Sequence, residues 1–183
     1  MKKWLVGSIV GAIIVFLWQF LSWTVLEFHA GEAKYTPAQD SIMNYLNSTI
    51  KEDGMYMMPN LPPGASSEEH GELAKQMDGK PYASIIYHTK YEFNMARPMI
   101  RGFLIDLFLV FTLIYILTRA GTPSAMRIFA GSIAVGLFTW VAGPYTAHNW
   151  FHMPWPAITG HLFDSFIAWG LTGLWLGWWL NRK

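Results

Sequence analysis

The chain has 183 residues, of which 52% are hydrophobic and only 14% charged. An ordinary soluble domain carries about 25% charged residues, so a bilayer is part of this protein's solvent. A net charge of +1, with no run of Lys or Arg, leaves no electrostatic footprint for nucleic acid, and the absence of cysteine excludes disulfides, thiolate catalysis and iron–sulfur clusters.

Crossing a hydrocarbon core of about 30 Å takes roughly 20 mostly apolar residues at about 1.5 Å each. The first such stretch is residues 4–26, uncharged until Glu27. It follows Lys2 and Lys3, and Gly31-Glu32-Ala33 resembles a signal-peptidase site. The apolar run is longer than the roughly 7–15 residues of a signal peptide, so an uncleaved signal anchor is expected. Gly7 and Gly11 have the small-xxx-small spacing of close helix packing.

Residues 27–97 are expected to form a small extracytoplasmic α/β cap. Thr36-Pro37-Ala38-Gln39 reads as a capped helix start, followed by an apolar stripe at Ile42, Met43, Leu46 and Ile50. Met55 to Met58 reads as a short strand, and PNLPPG (59–64) as a loop. Ser66 with Glu69 forms a capping box that opens a helix to about Met77. From Tyr82 to Phe93 the pattern alternates. Ile85, Tyr87, Tyr91 and Phe93 fall on one face, which predicts a half-buried strand paired with the 55–58 stretch.

Three further spans are expected at 99–118, 126–147 and 158–180. The fold class is thus an α-helical membrane protein with four transmembrane helices and a cap between the first two. Lys2, Lys3, Arg119, Arg127, Arg182 and Lys183 fall on one side of such a chain. The positive-inside rule makes that side the cytoplasm, with both termini in it. Ala130/Ala134 and Gly173/Gly177 repeat the small-residue spacing. Trp4, Trp175, Trp178 and Trp179 would mark the inner interface, and Trp23, Trp150 and Trp155 the outer one.

Ionisable groups inside a span are costly and point to function. Here Glu27, His29, Arg101, Asp106, His161 and Asp164 all lie toward the outer ends of their spans, with His148 and His152 between the last two. This is an intramembrane polar cluster that can meet at one depth. If the third helix persists past Gly143-Pro144, His148 and His152 share a face at metal-chelating spacing. Asp164, three residues after His161, can orient it. Arg101 is the expected partner of Asp106 or Asp164. Clustered thioethers at Met55, Met57 and Met58 suit Cu(I). The candidate metal ligands are therefore His148, His152, His161, Met55, Met57 and Met58, with copper or a bis-histidine haem as the cofactor.

Against this stands a plainer reading without a cofactor. The same residues sit at headgroup level and bond to each other, to water or to lipid. A lipid or quinone headgroup pocket is a further alternative. No GxSxG, Walker A or GxGxxG motif is present, and no spacing nominates a nucleophile.

The segment FLWQFLSWTVLEFH (16–29), with GMYMMP (54–59) after it, resembles small uncharacterised bacterial four-helix inner-membrane proteins over the first third of the chain. The resemblance implies a multi-pass protein of the bacterial inner membrane and assigns no activity and no functional residue. The leading expectation is a non-enzymatic accessory or scaffold protein that contacts lipid, a membrane-protein partner or a second copy of itself. The alternative is a copper- or haem-binding protein using the outer His/Met cluster. A third is a carrier or lipid-modifying enzyme in which Asp106 and Asp164 carry protons.

Overall fold

A computed structural model describes residues 2–182. In chain order the elements are α1 (Lys2–Thr24), α2 (Gln39–Thr49), β1 (Gly54–Met58), α3 (Ser67–Met77), β2 (Ala83–Tyr87), α4 (Ala96–Leu117), α5 (Ala125–Trp140), a π-helical turn (Val141–Tyr145), α6 (Thr146–Phe151) and α7 (Trp155–Asn181). They divide into two compact units, one of residues up to Lys34 and from Asn94 onward, the other Tyr35–Phe93.

The first unit is helical. Among the described residues, three helices are long and apolar enough to cross a membrane: Lys2–Thr24, Ala96–Leu117 and Ala125–Phe151. The chain is thus a multi-pass membrane protein with a small open sheet between its spans. The sequence leads one to expect four spans. α7 has the length, 27 residues, but its many Trp and Gly residues lower its hydropathy, so it is not among the three.

α7 packs against both α5 and α1, and α1 packs against α4, whereas α4 and α5 scarcely touch. Lipid offers helices no hydrophobic reason to associate, so close backbone approach must hold them. Gly136 of α5 supplies it: a Cβ there would lie 2.4 Å from the Ser165 carbonyl oxygen of α7. At Gly11 of α1 a Cβ would lie 2.7 Å from Val110 of α4. The contact face of α5 is Ile128, Ser132 and Gly136, all buried. Ala130 and Ala134, the small pair singled out by spacing, are exposed. Spacing alone does not choose between two small-residue faces of one helix; the partner's shape does. Val110, Ile114, Ile128 and Leu176 are fully buried at the centre.

One end of this unit gathers Lys3, Arg182 and the α4–α5 loop. Trp179 Nε1 donates to the Lys3 carbonyl at 2.7 Å, and Asn181 Nδ2 to that of Pro123 at 3.1 Å. Lys3 Nζ donates to the Arg182 carbonyl. Arg182 lies over Trp178 at 5.3 Å and Arg119 over Tyr115 at 5.0 Å, so cations sit on aromatic faces at that end.

In the second unit β1 and β2 pair antiparallel, from Gly54↔Tyr87 to Met58↔Ala83. The second strand is shorter than the Tyr82–Phe93 alternation predicts. Asp53 ends it by accepting from the Thr89 amide and hydroxyl, each at 2.8 Å, and from His88 Nδ1 at 3.0 Å. These bonds, the Thr89 amide first, lower the Asp53 pKa from 3.8 to about 2. Beyond the turn Tyr91 and Phe93 are exposed. α3 opens on the Ser66–Glu69 capping box, with Glu69 N–H to Ser66 Oγ at 3.2 Å and Ser66 N–H to Glu69 Oε2 at 2.7 Å. Bonding to Ser66 also holds the Glu69 carboxyl below its ordinary pKa. α2 lacks the expected cap. Its N-cap is Ala38, and the Thr36 hydroxyl accepts from the Ala38 amide at 3.3 Å. That bond spans two residues and closes a turn ahead of the helix, so no side chain caps the first turn.

Candidate metal centre

α1 ends in a tight reversal that carries a histidine back against the bundle. Leu26 N–H bonds to the Leu21 carbonyl at 2.9 Å and Phe28 N–H to that of Ser22 at 3.2 Å. Glu27 between them is left-handed, with φ +53°. Two further turns follow, Ala30 N–H to Glu27 O and Glu32 N–H to His29 O, both at 3.0 Å. The loop rests on the first turns of α7, where Gly160 lets the backbones meet. A Cβ there would lie 2.6 Å from the Phe28 carbonyl oxygen and 2.8 Å from His29 Nδ1.

This places four ionisable side chains together. His29 is only 5% exposed. Its Nε2 lies 2.8 Å from Asp164 Oδ2, and Asp164 Oδ1 accepts from Trp18 Nε1 at 2.9 Å. Both carboxylate oxygens of Asp164 are thus engaged. On the other side of the ring, Nδ1 contacts Glu32 Oε1. The same oxygen lies 3.2 Å from His161 Nε2. One ligand atom from each of His29, Glu32 and His161 falls within a 4.8 Å group. Trp23 stacks flat on His29, with centroids 4.0 Å apart and planes at 5°, covering one face of the ring.

The chemistry follows from the pairing. Each ring nitrogen of His29 faces a carboxylate, and a carboxylate only accepts; with a cation held between Nδ1 and Glu32, Asp164 would accept from Nε2–H and orient the ring. Two imidazoles and a carboxylate converge on one point, with a second carboxylate behind. This is the pattern in which an outer carboxylate orients a metal-ligating histidine.

The sequence-based candidates are redistributed. Of the six proposed metal ligands, only His161 belongs to this group. His148 Nδ1 bonds to the Met153 carbonyl at 2.5 Å and its ring packs on Trp155 at 4.6 Å. The helix does persist through Gly143-Pro144, by a π-helical turn. It stops at Phe151, however, and His152 is left-handed at φ +53°, so His148 and His152 do not share a helical face. Met55, Met57 and Met58 lie in β1 of the other unit, where alternation puts Met58 on the opposite side from Met55 and Met57. Asp164 orients His29 rather than His161. Arg101 is exposed and makes no ion pair with any described residue, so the expected Arg101–Asp pairing is absent. Gln19 Nε2 reaches Asp106 Oδ1 at 3.3 Å instead. An arginine near a helix start can extend its long stem toward water, which costs less than burial beside a carboxylate. Glu27 is exposed and contributes through its backbone. Glu32 joins the group without being among the sequence-based candidates; the His-x-x-Glu spacing of 29 and 32 is its only local signal.

Compared with protein-family models, curated proteins and solved structures, the chain matches none.

Proposed function

We propose that the protein is a membrane metal-binding protein whose centre is His29, Glu32 and His161, with Asp164 as the positioning residue behind His29. The observation that carries this reading is the convergence of three ligand atoms within 4.8 Å. At metal–ligand bonds of about 2.0–2.1 Å, neighbouring ligand atoms in a tetrahedral shell stand roughly 3.3 Å apart. His161 Nε2 and Glu32 Oε1 are 3.2 Å apart. With neutral imidazoles the group carries the charge of two carboxylates, which a divalent cation offsets. Nitrogen and oxygen donors without sulfur suit zinc or iron(II) better than Cu(I), and three protein ligands leave a position open. Haem fits poorly. The His29 and His161 centroids are 4.9 Å apart at 66°, too close for rings on opposite faces of a porphyrin. A scaffold role would not call for such a convergence, so the metal reading is preferred.

The test is metal content after purification without chelators, by plasma mass spectrometry. The expected result is close to one zinc or iron per chain, falling at least about tenfold in His29→Ala, Glu32→Gln and His161→Ala, and unchanged in His148→Ala. A wild-type chain that takes up none of the first-row divalent ions, or an equal loss in His148→Ala, would refute the reading.

For the topology we propose α7 as a fourth span, since its 27 residues reach about 40 Å. Lys3, Arg119, Arg127 and Arg182 then face the cytoplasm of a bacterial inner membrane, and the metal centre lies at the outer level. The segment carrying α2, α3 and the sheet is extracytoplasmic. A cysteine introduced by Ser66→Cys should react with an impermeant maleimide in intact spheroplasts. Labelling only after lysis would reverse the orientation.

A further inference from the structure

Because α4 and α5 scarcely touch while α1 and α7 pack behind them, the helices leave an open cavity of about 580 Å³. Its surface is mostly apolar, with Phe16, Phe20 and Trp23 from α1, Trp140 from α5 and Trp169 from α7 among its lining residues. Polar residues line it as well, among them Gln19, His161 and Asp164. Asp106, ten residues into α4, lines the cavity and is only 2% exposed. Its Oδ1 has the long 3.3 Å bond from Gln19, and its Oδ2 has no hydrogen-bond partner among the described residues. A buried carboxyl oxygen left unpaired is costly, and at membrane depth no bulk water relieves it. A cavity this apolar, with one unpaired acceptor, has the composition of a small-molecule site in which a single polar contact fixes orientation.

We propose that this cavity binds a membrane-borne amphiphile whose head group carries an O–H or N–H donor, with Asp106 Oδ2 as the acceptor. The apolar lining holds the apolar part, which passes between α4 and α5 toward the bilayer. Anionic heads are disfavoured, because Asp106 and Asp164 both line the cavity and like charges repel in a low dielectric. His161 and Asp164 of the proposed metal centre also line the cavity, but the proposal needs no metal.

The test uses the full chain in phosphatidylcholine nanodiscs with a diazirine-bearing long-chain alcohol, cross-linked by light and mapped by mass spectrometry. Unlabelled 1-hexadecanol should compete at least about tenfold better than its methyl ether, which has the same tail and no donor. Asp106→Leu, which removes the acceptor at similar size, should abolish that difference. Thr139→Trp, which fills the cavity from the α5 side, should suppress cross-linking at least about tenfold and keeps the test decisive if the Asp106 variant fails to fold. Equal competition by alcohol and ether means ordinary lipid contact and overturns the proposal, as does undiminished cross-linking in Thr139→Trp. The same ratio after chelator treatment separates this result from the fate of the metal centre.

Discussion

Replacing Asp164 by Ala is expected to lower metal content and thermal stability together. The carboxylate accepts from Trp18 Nε1 at 2.9 Å and pairs with His29 Nε2 at 2.8 Å. Its removal takes the shared partner from buried His29 and half-buried Trp18. Breaking a buried pair in this way costs about 3–5 kcal/mol, and the low end applies because the Asp164 side chain keeps 15% exposure. Asp164→Asn retains one acceptor oxygen and is the milder test. It should lower metal affinity by roughly 10–100-fold, as loss of an outer-shell carboxylate does, with a smaller loss of melting temperature. Added zinc should raise the melting temperature of the wild type and fail to restore that of Asp164→Ala. If zinc stabilises both equally, Asp164 holds helices together without positioning a ligand.

Gly136→Ala is expected to be the most damaging single methyl in the bundle. The new Cβ would lie 2.4 Å from the Ser165 carbonyl oxygen and 2.7 Å from the Trp169 ring. The first obstacle is backbone and cannot rotate away, so α5 and α7 must separate. Overpacking typically costs about 1–3 kcal/mol, and a rigid obstacle puts this site at the upper end. The cost extends to the α7 residues that carry His161 and Asp164. Melting of the purified protein in detergent, compared with Ala134→Leu on the exposed side of α5, measures it. The Gly136 variant should melt several degrees lower and the Ala134 variant with the wild type. Equal melting of the two would deny the close α5–α7 contact.

Much of the local structure could be read directly from the residues. The Ser66–Glu69 box works within one turn, so nothing distant can undo it. The β1–β2 pairing follows from two short apolar runs and a chain reversal between them. Where local reading failed, a distant partner intervened. Asp53 captured Thr89 and cut β2 short. One left-handed residue, His152, separated a histidine pair whose spacing looked suited to a metal.

The candidate site shows the same division. Composition and hydropathy alone establish a membrane protein, because the bilayer's demand for apolar length is met residue by residue along the chain. They also show that titratable groups collect toward one end of the spans. Which of those groups meet was decided by tertiary structure. His29 and Glu32 are neighbours in sequence, but His161 and Asp164 reach them only because Gly160 allows the loop after α1 to lie on α7. Trp18 and Gln19, adjacent on α1, each engage an aspartate of a different helix, Asp164 on α7 and Asp106 on α4. A hydrogen bond depends on distances of a few ångströms between atoms set by helix packing. Packing depends on the complementary shapes of two helices at once, and no periodicity within a single helix encodes it.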